Sequence, residues 1–317
     1  MKRREFLTGL GLGGYSLVVF ADELPPADRP LPAVDRVRAD LRKVAPGTLK
    51  PGGIAHEPNM RLVDLECDVL VAGGGLSGVC AAISAARHGA KVILLQDRSR
   101  LGGNSSSEVK MHVVGSSCHK GRPGWRESGL IEELHLDDAV NNPQRSFEQW
   151  DLLLYDKVVS EPNITLLLDT TLYAARMNGN RIESVMARCD LTEHLYSIRA
   201  HIFIDCTGDS RLGLEAGAEF RTGRESKEEF GESLGIDRAD IQTLSSSILF
   251  TSRDYGRPMP FLPPKWARKV TRKHLRHRKI DSWEYGYWWI AWGGDKNTIG
   301  GNERIRFELL SIVMGIW

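Results

Sequence analysis

At 317 residues the chain is long enough for one large or two ordinary domains with a substantial buried core. Its 41% hydrophobic and 26% charged content is that of a soluble globular protein, and a formal net charge of +1 gives no global reason to expect nucleic acid. Five scattered cysteines (Cys67, Cys80, Cys118, Cys189, Cys206) show neither C-x-x-C nor zinc-like spacing, and their odd number excludes a complete disulfide framework.

Residues 1–21 read as an export signal. Arg3-Arg4 is followed by Phe6-Leu7 and a weakly hydrophobic, glycine-rich run to Phe20, which is the twin-arginine pattern. The run is too short for a comfortable membrane span. The expected partner is the twin-arginine export machinery, and the expected location is periplasmic, or membrane-associated if the signal is retained. Residues 22–64, with Pro25, Pro26, Pro30, Pro32, Pro46, Pro51 and Pro58, read as a spacer.

Cys67–Gly103 carries the densest signal. Asp68–Ala72 is an apolar run of buried-strand size that meets Gly73, Gly74, Gly75 and Gly78, giving Gly-x-Gly-x-x-Gly on Gly73, Gly75 and Gly78. Val79–His88 has helical composition, Gly89 is a stop, and Lys91–Leu95 is a second strand. Strand, glycine turn, helix and strand in that order are the context of a dinucleotide fingerprint. The first glycine makes the tight turn, the second admits a pyrophosphate, and the third lets the helix pack on the sheet. An acid that binds the ribose ordinarily ends the second strand; Gln96 stands there, with Asp97 beside it.

The stretch after Gly102-Gly103 begins Asn104-Ser105 and is rich in Ser, Asn and Gly, hence a loop. It holds His112 and His119, candidates for acid–base work or a covalent flavin link, with ordinary loop histidines as the plainer reading. Arg126–Ala139 and Phe147–Ser160 show helical periodicity around an Asn-Asn-Pro break at 141–143. Asn163–Leu168 is a strand, and Asn178-Gly179-Asn180 joins two further strands in a hairpin. Another strand, about Leu195–Asp205, ends in Cys206-Thr207-Gly208-Asp209, returning the chain to the nucleotide. Asp209 would either accept from a cofactor hydroxyl or cap the helix starting at Ser210.

In the last third, Leu244–Phe250 is a strand, Pro258–Pro264 a loop, and Asn302–Val313 a helix. Lys265–Lys279 is strongly basic, read as a solvated helix face in preference to a site for an anionic substrate. Trp283–Trp292 is unusually aromatic and reads as a strand with one or two rings facing a cavity.

With the glycine fingerprint, GGNSSSEV, the Arg-Glu-Ser-Gly helix start, the Asn-Pro break, the hairpin and DCTGDSRLGLEAGAEFRTGRES, the chain resembles the FAD-dependent oxidoreductases of the two-dinucleotide-binding-domain type, chiefly their exported bacterial members. The resemblance implies an α/β fold: a Rossmann-like FAD-binding domain with a parallel sheet and an inserted hairpin over 65–217, and a partial mixed α+β substrate or cap domain over 218–317. It implies that Gly73, Gly75 and Gly78, with Gly74, Leu76 and Ser77 in the same turn, hold the FAD pyrophosphate. Gln96, with Asp97, would face the adenosine ribose. Gly102, Gly103, Asn104 and Ser105 would follow the phosphates and ribityl chain, while Thr207, Gly208 and Asp209 close over the nucleotide. The implied reaction is hydride transfer from an unidentified small-molecule substrate, carbohydrates among the candidates, to noncovalent FAD; the residues themselves offer His112 as the base. Two alternatives stand beside it: NAD(H) as the dinucleotide, and a truncated, catalytically incompetent homologue, since such proteins continue to a second cofactor motif.

Overall fold

The computed structural model describes residues 60–113, 127–250, 253, 255–271, 273–274 and 290–316. The export signal, the spacer up to residue 59, Cys118, His119, Arg126 and most of the aromatic stretch lie outside the described residues.

In chain order the main unit comprises β1 (Arg61–Ala72), α1 (Leu76–Arg87), β2 (Val92–Leu95), α2 (Leu130–Asn141), α3 (Phe147–Val159), β3 (Ile164–Leu167), β4 (Thr171–Asn178), β5 (Arg181–Cys189), β6 (His194–Asp205) and α4 (Arg211–Glu215). A six-stranded sheet runs in the order β3-β2-β1-β6-β5-β4. The first four strands are mutually parallel, and the β4–β5 hairpin adds antiparallel pairing to β6. This mixed, mostly parallel α/β sheet is the fold class expected.

β1 changes character along its length. Its first half alternates, with Arg61, Asp64 and Glu66 exposed and Val63 and Cys67 buried, while Val69–Ala72 is buried throughout. Val69 and Val71 join Val79, Ala82 and Ile83 of α1, Leu134 of α2, and Trp150 and Leu154 of α3 in one core layer. Leu70 and Ala72 join Val185, Ala187 and Ile198 in the other, closed by the hairpin and Leu212 of α4. A strand covered on both faces must be apolar on both, which is why only the second half of β1 reads as a buried run. The strand therefore starts at Arg61, inside the stretch expected to be spacer; pairing from Arg61↔His194 to Ala72↔Asp205 holds it in the sheet.

The α1–α2–α3 side is tied by charge at its rim. Arg87, ending α1, forms a bidentate pair with Glu133 of α2 at 2.7 and 2.9 Å and a bond to Glu161 at 2.7 Å. Lys157 of α3 reaches Glu133 at 3.1 Å and also pairs with Asp137. Cys67, Cys80, Cys189 and Cys206 are free thiols, and burial pushes that of Cys67 up to about 11.

Downstream lie α5 (Lys227–Phe230), β7 (Ser246–Ile248), β8 (Ile290–Trp292) and α6 (Asn302–Ile316). β7 and β8 pair antiparallel, and Ile290 packs with Ile305, Leu309 and Val313 in a separate small core. The described start of the basic segment, 265–271, is turn and irregular chain rather than the helix expected. Its backbone is engaged by α6: Arg268 N–H donates to the Ser311 carbonyl at 3.0 Å, and the Ser311 hydroxyl donates to the Trp266 carbonyl at 2.9 Å. Among the described residues no helix is long and apolar enough to cross a membrane.

Candidate functional site

Three loops leave the carboxyl ends of neighbouring parallel strands β2, β1 and β6 and meet at the N-terminus of α1, the place where open α/β sheets bind ligands. The first is Gly73–Gly75. Gly73 has φ +99°, and a Cβ on it would lie 2.2 Å from the Cys206 carbonyl oxygen, so the ends of β1 and β6 touch through bare backbone. Cys206 N–H donates to the Ala72 carbonyl at 2.7 Å, completing that junction. Gly75, by contrast, faces open space: nothing lies within 4 Å of a Cβ built there. It is the N-cap of α1, with no side-chain cap and no acidic residue in the first turn. The first-turn N–H groups of Leu76, Ser77 and Gly78 thus have no intrahelical acceptor and present the positive end of the helix dipole. An uncapped helix end beside a glycine-lined gap suits a pyrophosphate.

The second loop follows β2. Gly102 N–H donates to the Gly74 carbonyl at 2.8 Å, and Gly75 and Gly102 form a parallel bridge. Gly103 lies against Gly75, where a Cβ would be 3.2 Å from the Gly75 Cα. Asn104 is exposed beside them. Ser105 is buried, and its hydroxyl donates to the Gly102 carbonyl at 2.9 Å while accepting from Trp150 Nε1 at 3.1 Å. It anchors the loop to α3. Asp97 is exposed, whereas Gln96 is 4% exposed, its amide held between the two glycine loops.

The third loop follows β6. Thr207 donates its hydroxyl to Asp205 Oδ1 at 2.7 Å and accepts from Arg211 N–H at 2.6 Å. Asp205 also accepts from Thr207 N–H at 3.0 Å and from Gly213 N–H at 2.8 Å. Thr207 and Asp205, not Asp209, therefore tie down the start of α4; Asp209 and Gly208 are exposed at the turn. Asp205 was missed in the sequence, although Asp-x-Thr is the pattern of a carboxylate bonding the backbone two residues on.

His112 is stacked on Phe147 with ring centroids 5.8 Å apart, and its neighbour Met111 donates its N–H to the Asn104 carbonyl at 2.9 Å. It lines a cavity of about 410 Å³ together with His135, Asp138, Arg145, Phe147 and Trp150. His135, tilted over Trp150 at 6.0 Å, is the second imidazole of this cavity. Ser105 lines it too, so the loop after β2 forms part of the cavity wall. Among the described residues no cluster of three or more His, Cys, Asp or Glu is placed to hold a metal.

The family model for FAD dependent oxidoreductase matches residues 68–310. Among solved structures, the chain is similar to a geranylgeranyl bacteriochlorophyll reductase-like protein from Thermoplasma acidophilum at 17% identity and TM-score 0.35, over 50% of this chain and 43% of that one. It is similar to p-nitrophenol 4-monooxygenase PnpA from Pseudomonas putida DLL-E4 at 12% identity and TM-score 0.33, over 51% and 46%. For the flavin-dependent brominase Bmp2 the values are 13% and 0.34, over 48% and 40%. The chain spans under half the length of each of these structures. Matched from within β1 into α6, the chain belongs to the FAD-dependent oxidoreductase family, which assigns the dinucleotide as FAD rather than NAD(H).

Proposed function

We propose that this chain holds FAD across the three converging loops and oxidises a small polar molecule bound on the His112 side. The observation that carries the reading is the uncapped N-terminus of α1 opening at Gly75 onto free space, with the second glycine loop bridged beside it. Gly75 to Gly78 would hold the pyrophosphate by backbone N–H groups, and Gly103 and Asn104 would lie along it. Bound FAD supplies a two-electron acceptor for hydride.

The chain itself supplies orientation and a base. His112, on the cavity wall, would take the proton from the substrate hydroxyl, and bound FAD would supply the acceptor for the two electrons, a net two-electron oxidation. Phe147 holds the imidazole by stacking, and His135 and Arg145 provide polar contacts on the same wall. Carbohydrates, which offer a C–H and an adjacent O–H, are the first substrate class to screen. The Arg3-Arg4 pattern supports export by the twin-arginine route, which suits a protein that takes up its cofactor before crossing the membrane.

The test is direct. The purified chain, titrated with FAD, should show flavin bands that co-elute with protein, and one of a panel of alcohols and sugars should bleach them anaerobically. A folded chain that takes up no FAD would overturn the reading.

A further inference from the structure

In ordinary dinucleotide-binding folds an acid ends the second strand and its carboxylate accepts from the ribose hydroxyls. Gln96 occupies that place, and its amide is spent on backbone instead. Oε1 accepts from Gly74 N–H at 2.8 Å, and Nε2 donates to the Arg100 carbonyl at 2.8 Å. Its own N–H donates to the Leu167 carbonyl at 2.9 Å, and its carbonyl accepts from Thr170 N–H at 2.8 Å. The neighbouring Gly74 carbonyl accepts from Gly102 N–H at 2.8 Å. One buried side chain thus connects the turn after β1 to the loop after β2 at both its ends.

A carboxylate cannot make this pair of bonds. One oxygen would take the Gly74 N–H, but the other would face the Arg100 carbonyl with no proton between two acceptors. An amide has a donor and an acceptor for the two positions.

We propose that Gln96 is a positioning residue for the cofactor, whose neutral amide clamps the Gly73–Gly75 turn to the loop carrying Gly102 and Gly103 and so holds the phosphate cradle in register. This rests on FAD as the ligand of that cradle. Gln96 acts on FAD through Gly74 and Gly102 rather than as the ribose acceptor. The charged groups around it are Asp97, Arg98 and Arg100 with their partners Glu108 and Asp151, and Asp169, which accepts from Ser99. All of them are common to wild type and variants, so differences between the proteins isolate position 96.

The experiment compares the full chain with Gln96→Glu and Gln96→Met, measuring the melting temperature of the FAD-free proteins and the FAD Kd from about pH 8 down to about pH 5. Gln96→Glu should melt below wild type at high pH and bind FAD at least about tenfold more weakly. Both gaps should close on acidification, when the new carboxyl is protonated and can donate to the Arg100 carbonyl. Gln96→Met, which keeps the volume and drops both bonds, should melt lower at every pH with no such recovery. A Gln96→Glu protein that binds FAD as tightly as wild type or tighter at high pH, or a Gln96→Met protein that melts like wild type, overturns the clamp. If wild type takes up no FAD, the cofactor reading fails, while the melting curves of the FAD-free proteins still judge the clamp.

Discussion

A side-chain carbon on Gly78 would stand 1.8 Å from the Gly73 carbonyl oxygen. Helix α1 and the turn that feeds it are therefore packed at the closest separation a backbone allows, and only glycine fits at position 78. Gly78→Ala must push α1 off the end of β1, at a cost of about 1–3 kcal/mol, and should lose FAD affinity together with thermal stability. Gly75→Asp should separate the two effects. Position 75 has φ −63° and open space, and an acid at an N-cap favours the helix, so its melting temperature should hold or rise. FAD binding should nonetheless be abolished, because the carboxylate fills and repels the phosphate position. Melting curves beside FAD titrations check both; Gly75→Asp binding FAD normally would sink the site assignment.

The turn after β6 depends on one hydroxyl. Thr207 Oγ1 bridges Asp205 Oδ1 and Arg211 N–H, so Thr207→Val leaves a helix-start N–H without its acceptor. The expected loss is about 1 kcal/mol, equivalent to a drop in melting temperature of about 2–4 °C. Hydrogen exchange should show the Arg211 and Gly213 amides opening faster, while those of β1 and β2 keep their protection. Unchanged exchange at Arg211 would mean that the bridge contributes nothing.

How much of this was legible in the chain follows from how local each feature is. The Gly73–Gly78 turn, α1 and β2 are set by neighbours in sequence, and they are where the glycine spacing puts them. The first half of β1 is not. Arg61, Asp64 and Glu66 face solvent, and the strand exists because it pairs with His194–Ala200, more than a hundred residues on. The position of Gln96 was legible, but its direction was not, because the two groups that capture its amide belong to separate loops. His135 reads as one more surface residue of a helix; only the packing of α2 against α3 brings it to the cavity of His112.

If His112 takes the substrate proton, His112→Ala should leave FAD affinity unchanged, since none of the glycines from Gly73 to Gly78, nor Gly102 or Gly103, lines the His112 cavity. Flavin reduction by substrate should slow by about 10²–10⁴-fold. Stopped-flow bleaching of the flavin bands under anaerobic conditions measures it. Equal rates would remove His112 from the chemistry and direct attention to His135.

The three-helix side should also carry an acid limb in its stability. The Arg87 guanidinium, and after it the Lys157 ammonium, hold the Glu133 carboxyl at about 2, against an ordinary 4.5. A carboxyl whose folded value is depressed contributes stability that is complete above its unfolded value and is lost as pH falls toward the folded one. The contribution of Glu133 is therefore present at neutral pH and disappears between about pH 4.5 and about pH 2. Arg87 and Glu133 are each more than a third exposed, so solvent screening limits the net contribution to about 0.5–1 kcal/mol. Glu133→Gln should be less stable than wild type at pH 7 by about that amount, and the two proteins should converge on acidification. Urea unfolding followed by circular dichroism across this pH range would show it, and parallel curves down to about pH 2 would mean the Arg87–Glu133–Lys157 cluster does not act on stability through its charge.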